Sequence, residues 1–217
     1  MITVQEPAPR AALRALKQPV FDTMECPGAG APVANLTFFQ APLGQNLNVT
    51  GVAKTAAETN LNQAGQLGVP QEFDLFGFNI TWENDDYWFE DTGAVGSLPN
   101  FILDSVEIYE ASVFQFFFGQ QRAWLQIPLV KVPHGPFCVT GPGDVAIDTE
   151  KYYNIHCGES TKDEFLKFLA NDAPISIHSA ENFSARIDWP LAAMGLTANG
   201  VNSKIKVYLV GVLYAAL

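Results

Sequence analysis

Alternation of apolar and polar positions dominates the chain from Phe73 onward. In Phe73 to Trp82 (FDLFGFNITW), Phe73 and Leu75 alternate with Asp74, and Phe78, Ile80 and Trp82 alternate with Asn79 and Thr81. The parity slips across Gly77, so a β-bulge is expected there. Leu103 to Phe118 puts Val106 and Ile108 on one face and Glu107 and Tyr109 on the other, then ends in the apolar FQFFF. Gly119 leads into Arg122 to Val130 (RAWLQIPLV), a hairpin partner. Its Pro128 has no N–H to give an inner ladder and belongs at an edge or a bulge. In Asn182 to Trp189, Phe183, Ala185, Ile187 and Trp189 share one face, while Ser184, Arg186 and Asp188 share the other. Further strands are expected at Val145 to Ile147, Tyr152 to His156, Ile175 to His178 and Ser203 to Tyr214. Helical periodicity is convincing only in Thr161 to Ala170 (TKDEFLKFLA). There Thr161 and Glu164 match a capping box and Phe165, Leu166, Phe168 and Leu169 supply the apolar side.

The first third has a different texture. Residues 1–32 carry Pro7, Pro9, Pro19, Pro27 and Pro32 and the run PGAGAP, which favours irregular chain and reads as an N-terminal arm. Arg10 to Lys17 (RAALRALK) fits two helical turns. A single domain is assigned to 33–217, since 217 residues make an ordinary β-sandwich. It opens with the β-like LTFFQ at Leu36 to Gln40. A long polar connection through Pro70 follows, with one short strand at Leu47 to Val52. A connection of that length in a compact domain is usually functional or interfacial. About eight strands with one helix between them point to an all-β sandwich or barrel. No fixed-period repeat is visible, which disfavours propellers and solenoids.

Composition sharpens this picture. Charged residues are 16% of the chain, against roughly 25% in an average soluble protein, while apolar residues reach 48% with sixteen Phe. Part of the exterior is therefore expected to face sister subunits. The net charge of −11, with Lys and Arg scattered from Arg10 to Lys206, argues against a nucleic-acid-binding body. The exception is local: Arg10, Arg14 and Lys17 face only Glu6, and such an arm suits either contact with anionic lipid or nucleic acid, or simple solvation. Cys26, Cys138 and Cys157 define no disulfide framework, and a reducing compartment is the simpler expectation. The start lacks the apolar run of a secretory signal, and no later stretch is long enough to span a membrane. Sequons at Asn35, Asn48, Asn79 and Asn182 are then chance matches in an Asn- and Thr-rich chain.

Motifs with chemistry are scarce. His134, Cys138, His156 and Cys157 are suitable zinc ligands by type. Adjacent His156 and Cys157 would point to opposite faces of a strand, so a buried thiol and ordinary histidines are the better reading. No His-x-His pair exists for a metal-holding cupin, and no nucleophile elbow, phosphate loop or dinucleotide fingerprint is present, so no enzymatic activity is expected. The run WENDDYWFEDTG interleaves Glu83, Asp85, Asp86, Glu90 and Asp91 with Trp82, Tyr87, Trp88 and Phe89. It suits a hairpin tip whose aromatics pack, and also a Ca²⁺ site or a sugar-stacking patch.

Three passages carry a resemblance: TNLNQAGQLGVPQEFDLFGFNI (Thr59 to Ile80), NFSARIDW (Asn182 to Trp189) and SKIKVYLVGVLYAAL (Ser203 to Leu217). Their order resembles the jelly-roll major capsid proteins of tailless icosahedral viruses of bacteria and archaea. The likeness is in the order of elements over about two thirds of the chain. It implies a single jelly roll of about eight antiparallel strands, with one short helix and an extended arm. It also implies a coat subunit, made in the host cytoplasm, that self-assembles into capsomers of the virion shell without any cofactor. The implied partners are further copies, penton or other capsid proteins, and an inner membrane or genome touched by the arm around Arg10, Arg14 and Lys17. The connections Gly44 to Pro70 and Asn84 to Pro99 are expected at interfaces or on the particle surface. The competing expectation is a β-sandwich carbohydrate- or receptor-binding module of a virion or cell surface.

Overall fold

The computed structural model describes residues 13–26, 31–46, 51–83, 104, 107–119, 123–132, 138–140, 154–156, 166–167, 174–196 and 204–216. Their strands are β1 (Arg14–Leu16), β2 (Val20–Glu25), β3 (Asn35–Phe38), β4 (Glu72–Glu83), β5 (Val113–Phe118), β6 (Ala123–Pro128), β7 (Cys138–Thr140), β8 (Asn154–His156), β9 (Leu166–Lys167), β10 (Ile175–Ile177), β11 (Phe183–Asp188) and β12 (Lys204–Ala215). They form two antiparallel sheets and a separate β7–β8 pair. The fold is all-β.

The first sheet is built on β4 and β12, which run together from Lys204↔Glu83 to Tyr214↔Glu72. The far edge of β12 is covered by β2 opposite its first half and β1 opposite its second. The far edge of β4 carries β10 and β9. The second sheet has the order β3-β11-β5-β6. Core-facing residues of both sheets merge into one apolar cluster. The Phe78 ring of the first sheet lies 5.1 Å from Phe114 and 4.9 Å from Phe116 of the second, centroid to centroid. Tilted aromatic contacts of this kind add to the area they bury.

The pairing is nested. β5 and β6 form a hairpin, β4 pairs with β10, β3 with β11, and β2 with β12. The chain thus folds back on itself around its middle, and passages such as β2 to β3, β3 to β4 and β10 to β11 to β12 cross between the sheets.

Several expectations hold at residue level. Phe183, Ala185, Ile187 and Trp189 are buried, whereas Ser184, Arg186 and Asp188 are only partly so. Pro128 ends β6, the outermost strand of its sheet. The parity slip in β4 is a bulge: Gly77 pairs with Val210 and Leu75 with Gly211, which leaves Phe76 as the extra residue. Ile205, Val207 and Leu209 and, past the slip, Leu213 all stay buried on β12, so the irregularity belongs to β4.

Others are corrected. Residues 14–25 are strands of the first sheet, not an extended arm, because β2 buries Val20 and Met24 and satisfies an edge of β12 that would otherwise be open. The RAALRALK segment is not helical at Arg14–Leu16, where pairing with β12 outweighs the costly nucleation of so short a helix. Residues 107–109 make a helical turn rather than alternating strand. The Trp189 Nε1–H donates to the Glu107 carbonyl at 2.9 Å, and the Ser112 hydroxyl donates to the Ile108 carbonyl. Within the expected helix Thr161 to Ala170, Leu166–Lys167 is a strand on Gly77 and Phe78; ladder pairing overrides local propensity there. The remainder of that stretch and Val145 to Ile147 lie outside the described residues. So do Leu47 to Thr50, though Asn46 and Ala53 on either side form a β-bridge.

The bulge generates a test. A Cβ on Gly211 would stand 2.1 Å from the Asp74 carbonyl oxygen and 2.6 Å from the Phe73 ring. Gly44, at φ 83°, has open space around it. We expect G211A to lower stability by about 2–3 kcal/mol in urea unfolding, because two central strands must separate. G44A should cost only about 1 kcal/mol, from its backbone conformation alone. Equal effects would contradict the close approach of β12 to β4.

Candidate interaction surface

Asp22 sits on β2 opposite Val207, so its carboxylate faces the interior. A buried carboxylate requires partners. Lys54, from the connection between β3 and β4, places its Nζ 2.7 Å from Asp22 Oδ1, with both side chains fully buried. The Phe39 N–H donates to Asp22 Oδ2 at 2.6 Å. Burial pushes the Asp22 carboxyl above its ordinary value, while the Lys54 ammonium, the Phe39 N–H and the Thr59 hydroxyl act in the opposite direction. Phe39 itself has φ 68°, a left-handed conformation that is uncommon for a bulky residue. It is fixed at both ends, since Gly65 N–H donates to its carbonyl at 2.5 Å. One carboxylate therefore joins the edge of the first sheet, the end of β3 in the second, and the connection.

That connection is a built structure. At its start, Gly44 to Asn46 run antiparallel to Ala53 and Lys54: Gly44 N–H donates to the Lys54 carbonyl at 2.9 Å, Lys54 N–H to the Gln45 carbonyl at 2.7 Å, and Asn46 bridges to Ala53. The next turn is a capping box. The Thr55 N–H donates to Glu58 Oε2 at 2.8 Å, the Thr55 hydroxyl donates to the same oxygen, and Lys204 Nζ lies 3.2 Å from Glu58 Oε1. Thr59 and Asn60 then cover the free edge of β2. The Thr59 hydroxyl donates to the Phe21 carbonyl at 3.2 Å, Asn60 Nδ2 donates to the Pro19 carbonyl at 2.8 Å, and the Phe21 N–H donates to Asn60 Oδ1 at 3.0 Å. Leu61 and Leu67 are buried in the core. Beside the polar Gln45, Asn46, Thr55, Asn62 and Gln63, this anchored segment exposes three large apolar side chains: Leu43 is 47% exposed, Val52 56% and Val69 68%. Outside it, Trp124 and Val130 near β6 and Leu191 after β11 are also exposed.

Charge follows the same division. From Cys26 to Gln71 the only charged side chains are Lys54 and Glu58. Both are ion-paired, with Asp22 and Lys204 respectively. This segment is thus neutral on a chain of net charge −11.

The residues singled out from sequence are scattered by comparison. Arg14 is exposed on β1 and Lys17 is exposed just after it; Arg10 lies outside the described residues. Cys138 and His156 are register partners across β7 and β8, while His134 and Cys157 lie outside the described residues. Glu83 ends β4, and Trp82 is buried; Asp85, Asp86, Tyr87, Trp88, Phe89, Glu90 and Asp91 lie outside. Among the described residues no three His, Cys, Asp or Glu gather as metal ligands. Cys26 is fully buried, and burial first, then Asp104 and Glu25, push its thiol far up, so it is inert. The Asp22–Lys54 pair was missed. Its signal was present: an acid inside the apolar VFDTM, and a single cation in a long uncharged stretch.

Comparison of the chain with protein families, with curated proteins and with solved structures finds no match.

Two outcomes are expected. K54M leaves Asp22 as an uncompensated buried charge and should cost about 3–5 kcal/mol, whereas D22N/K54M, which keeps an acceptor for the Phe39 N–H, should recover most of it. Urea denaturation of the four proteins of this double-mutant cycle tests the coupling; additive losses would contradict it. Glu58 is the second case. Burial alone would raise its pKa, but the Thr55 hydroxyl, the Thr55 N–H and Lys204 outweigh it, so its folded value lies below the ordinary 4.5. A depressed carboxyl contributes stability that is present above the unfolded value and disappears as pH falls through the folded one. E58Q should therefore remove the part of the stability loss that wild type shows as pH falls below the ordinary carboxyl value of 4.5, and leave the slope above it unchanged; an acid limb as steep as in wild type would contradict this.

Proposed function

We propose that this chain is the self-assembling coat subunit of an icosahedral virion, folded as a single jelly roll. The observation that carries the fold reading is the nested pairing. The strand order β2-β12-β4-β10 in one sheet and β3-β11-β5-β6 in the other is that of a long hairpin wrapped into a sandwich. A jelly roll of two Greek keys is wound in this way, so the pairing supports that reading. It supports the likeness to single-jelly-roll capsid proteins noted in the sequence.

Jelly rolls also serve as lectins and cupins, so the fold alone does not choose a role. The coat reading is favoured by the surface. An acidic molecule whose 26–71 segment carries only two charged side chains, both ion-paired, and exposes Leu43, Val52 and Val69 there, is suited to contact with neighbours. A shell repeats such contacts many times, so each need be only moderate in strength. In this reading Arg14 and Lys17, exposed at the β1 end, are available for contact beneath the shell. Arg10, earlier in the sequence, belongs to the same basic cluster.

Sedimentation velocity tests the reading. Purified protein should form capsomers or closed particles as concentration rises. Added salt should promote assembly, because it screens repulsion between acidic subunits over the Debye length of about 8 Å at physiological ionic strength, and leaves neutral contacts intact. A protein that stays monomeric throughout and binds glycan saturably would instead be a binding module.

A further inference from the structure

The two sheets differ in what their outward faces do with polar side chains. On the first sheet the outward acids Glu25, Glu72 and Asp74 are buried, Asp74 accepts from the Ser176 hydroxyl at 2.8 Å, and Lys204 is paired with Glu58. On the second sheet the register aligns Thr37, Arg186, Gln115 and Gln126 in one row across all four strands. They alternate with the core residues Phe38, Ala185, Ile187, Phe114 and Phe116, so the row faces outward. Among the described residues no hydrogen bond engages the side chains of Thr37, Gln115 or Gln126. Arg186 is held through Nε, which donates to Asp188 Oδ1 at 2.6 Å, and its side chain remains 43% exposed. An aromatic stands at the end of the row. Phe116 pairs with Leu125 and Phe117 with Ala123, which leaves Trp124 as the extra residue of a bulge in the edge strand. Leu125 and Ile127 pack on the core, so Trp124 and Gln126 lie on the outward side. At 40%, Trp124 is the one exposed aromatic side chain among the described residues.

We infer that the outward face of the second sheet is a binding site for a neutral oligosaccharide lying across the strands. Neighbouring strands are about 4.8 Å apart, close to the width of one sugar ring, so successive strands meet successive sugars. Sugar hydroxyls both donate and accept hydrogen bonds, and so do the Thr37 hydroxyl and the amides of Gln115 and Gln126. The terminal nitrogens of Arg186 add donors, and the bond from its Nε to Asp188 fixes the guanidinium before a ligand arrives. Trp124 offers its ring to the apolar face of a sugar. Charge selects against other polymers. Asp188 cancels Arg186, the rest of the row is uncharged, and a chain at −11 repels a nucleic acid or an acidic glycan. A protein partner calls for an apolar centre with a polar rim, whereas here the centre is the polar row and the exposed aromatic stands at the edge. The inference is independent of the coat reading, which draws on the side chains exposed between β3 and β4.

Calorimetric titration of the full chain tests it, with cellotetraose, maltotetraose, chitotetraose and mannotetraose as neutral probes and a heparin tetrasaccharide as the acidic one. At least one neutral probe should bind saturably with a Kd below about 1 mM, and the heparin probe should not. W124A and Q115A/Q126A should each weaken that binding by about tenfold or more. Q18A, which removes an exposed amide between β1 and β2, should bind as wild type does. Urea midpoints establish that the variants are folded; should W124A unfold, Q115A/Q126A decides. The inference is overturned if none of the neutral probes binds, if the heparin probe binds more tightly than they do, or if the folded variants of the face bind as wild type does. Because the readout is titration rather than sedimentation, its failure leaves the coat reading standing, and a chain that never assembles leaves the sugar site standing.

Discussion

A carboxylate on the interior face of a sheet is tolerable only with a fixed cationic partner and hydrogen bonds to its remaining oxygen, and the arrangement around Asp22 follows from that requirement. Lys54 supplies the charge and the Phe39 N–H occupies the second oxygen. Because these partners come from the β3–β4 connection and from the end of β3, meeting the need of one side chain determines where a long stretch of chain must lie. The connection cannot drift without exposing a buried charge to an apolar core. Such pairs seldom stabilise more than an apolar replacement would; their contribution is to specify one arrangement among many. Here the arrangement specified is the course of the β3–β4 connection along β2.

The central pair of strands imposes a second constraint. β12 keeps strict alternation, and β4 absorbs one extra residue at Phe76 so that Phe73, Leu75, Phe78 and Ile80 can all reach the core. Gly211 permits this by letting the two backbones approach without a Cβ between them. With β4 and β12 fixed, their outer edges become templates for β2, β1, β10 and β9, and the nested pairing closes over the aromatic contacts of Phe78 with Phe114 and Phe116.

Much of this was legible from residue pattern wherever one face of a strand is buried and the other is not. The slip at Gly77, the two faces of β11 and the edge position of Pro128 all follow from period-2 alternation or from a missing N–H. What sequence pattern did not reveal depends on partners distant in the chain. Arg14–Leu16 and Leu166–Lys167 have local helical texture, and become strands because open edges of β12 and β4 are available to them. Residues 20–25 looked like part of an arm because the prolines around them suggested irregularity; Pro19 instead marks the break between two strands on one edge. The Asp22–Lys54 pair is a related case: an acid within VFDTM and a lone cation in an uncharged stretch are each visible in the sequence, but nothing local joins them.

The account thus links burial of one charge to the course of one connection, and the apolar side chains exposed there to the proposed association between copies. Cryo-electron microscopy of the assembled native protein tests it most directly. The account predicts closed shells built of upright β-sandwiches, with the flank around Leu43 and Val52 enclosed between neighbouring subunits. Solitary particles of single-chain size, or shells in which that flank faces only solvent, would contradict it.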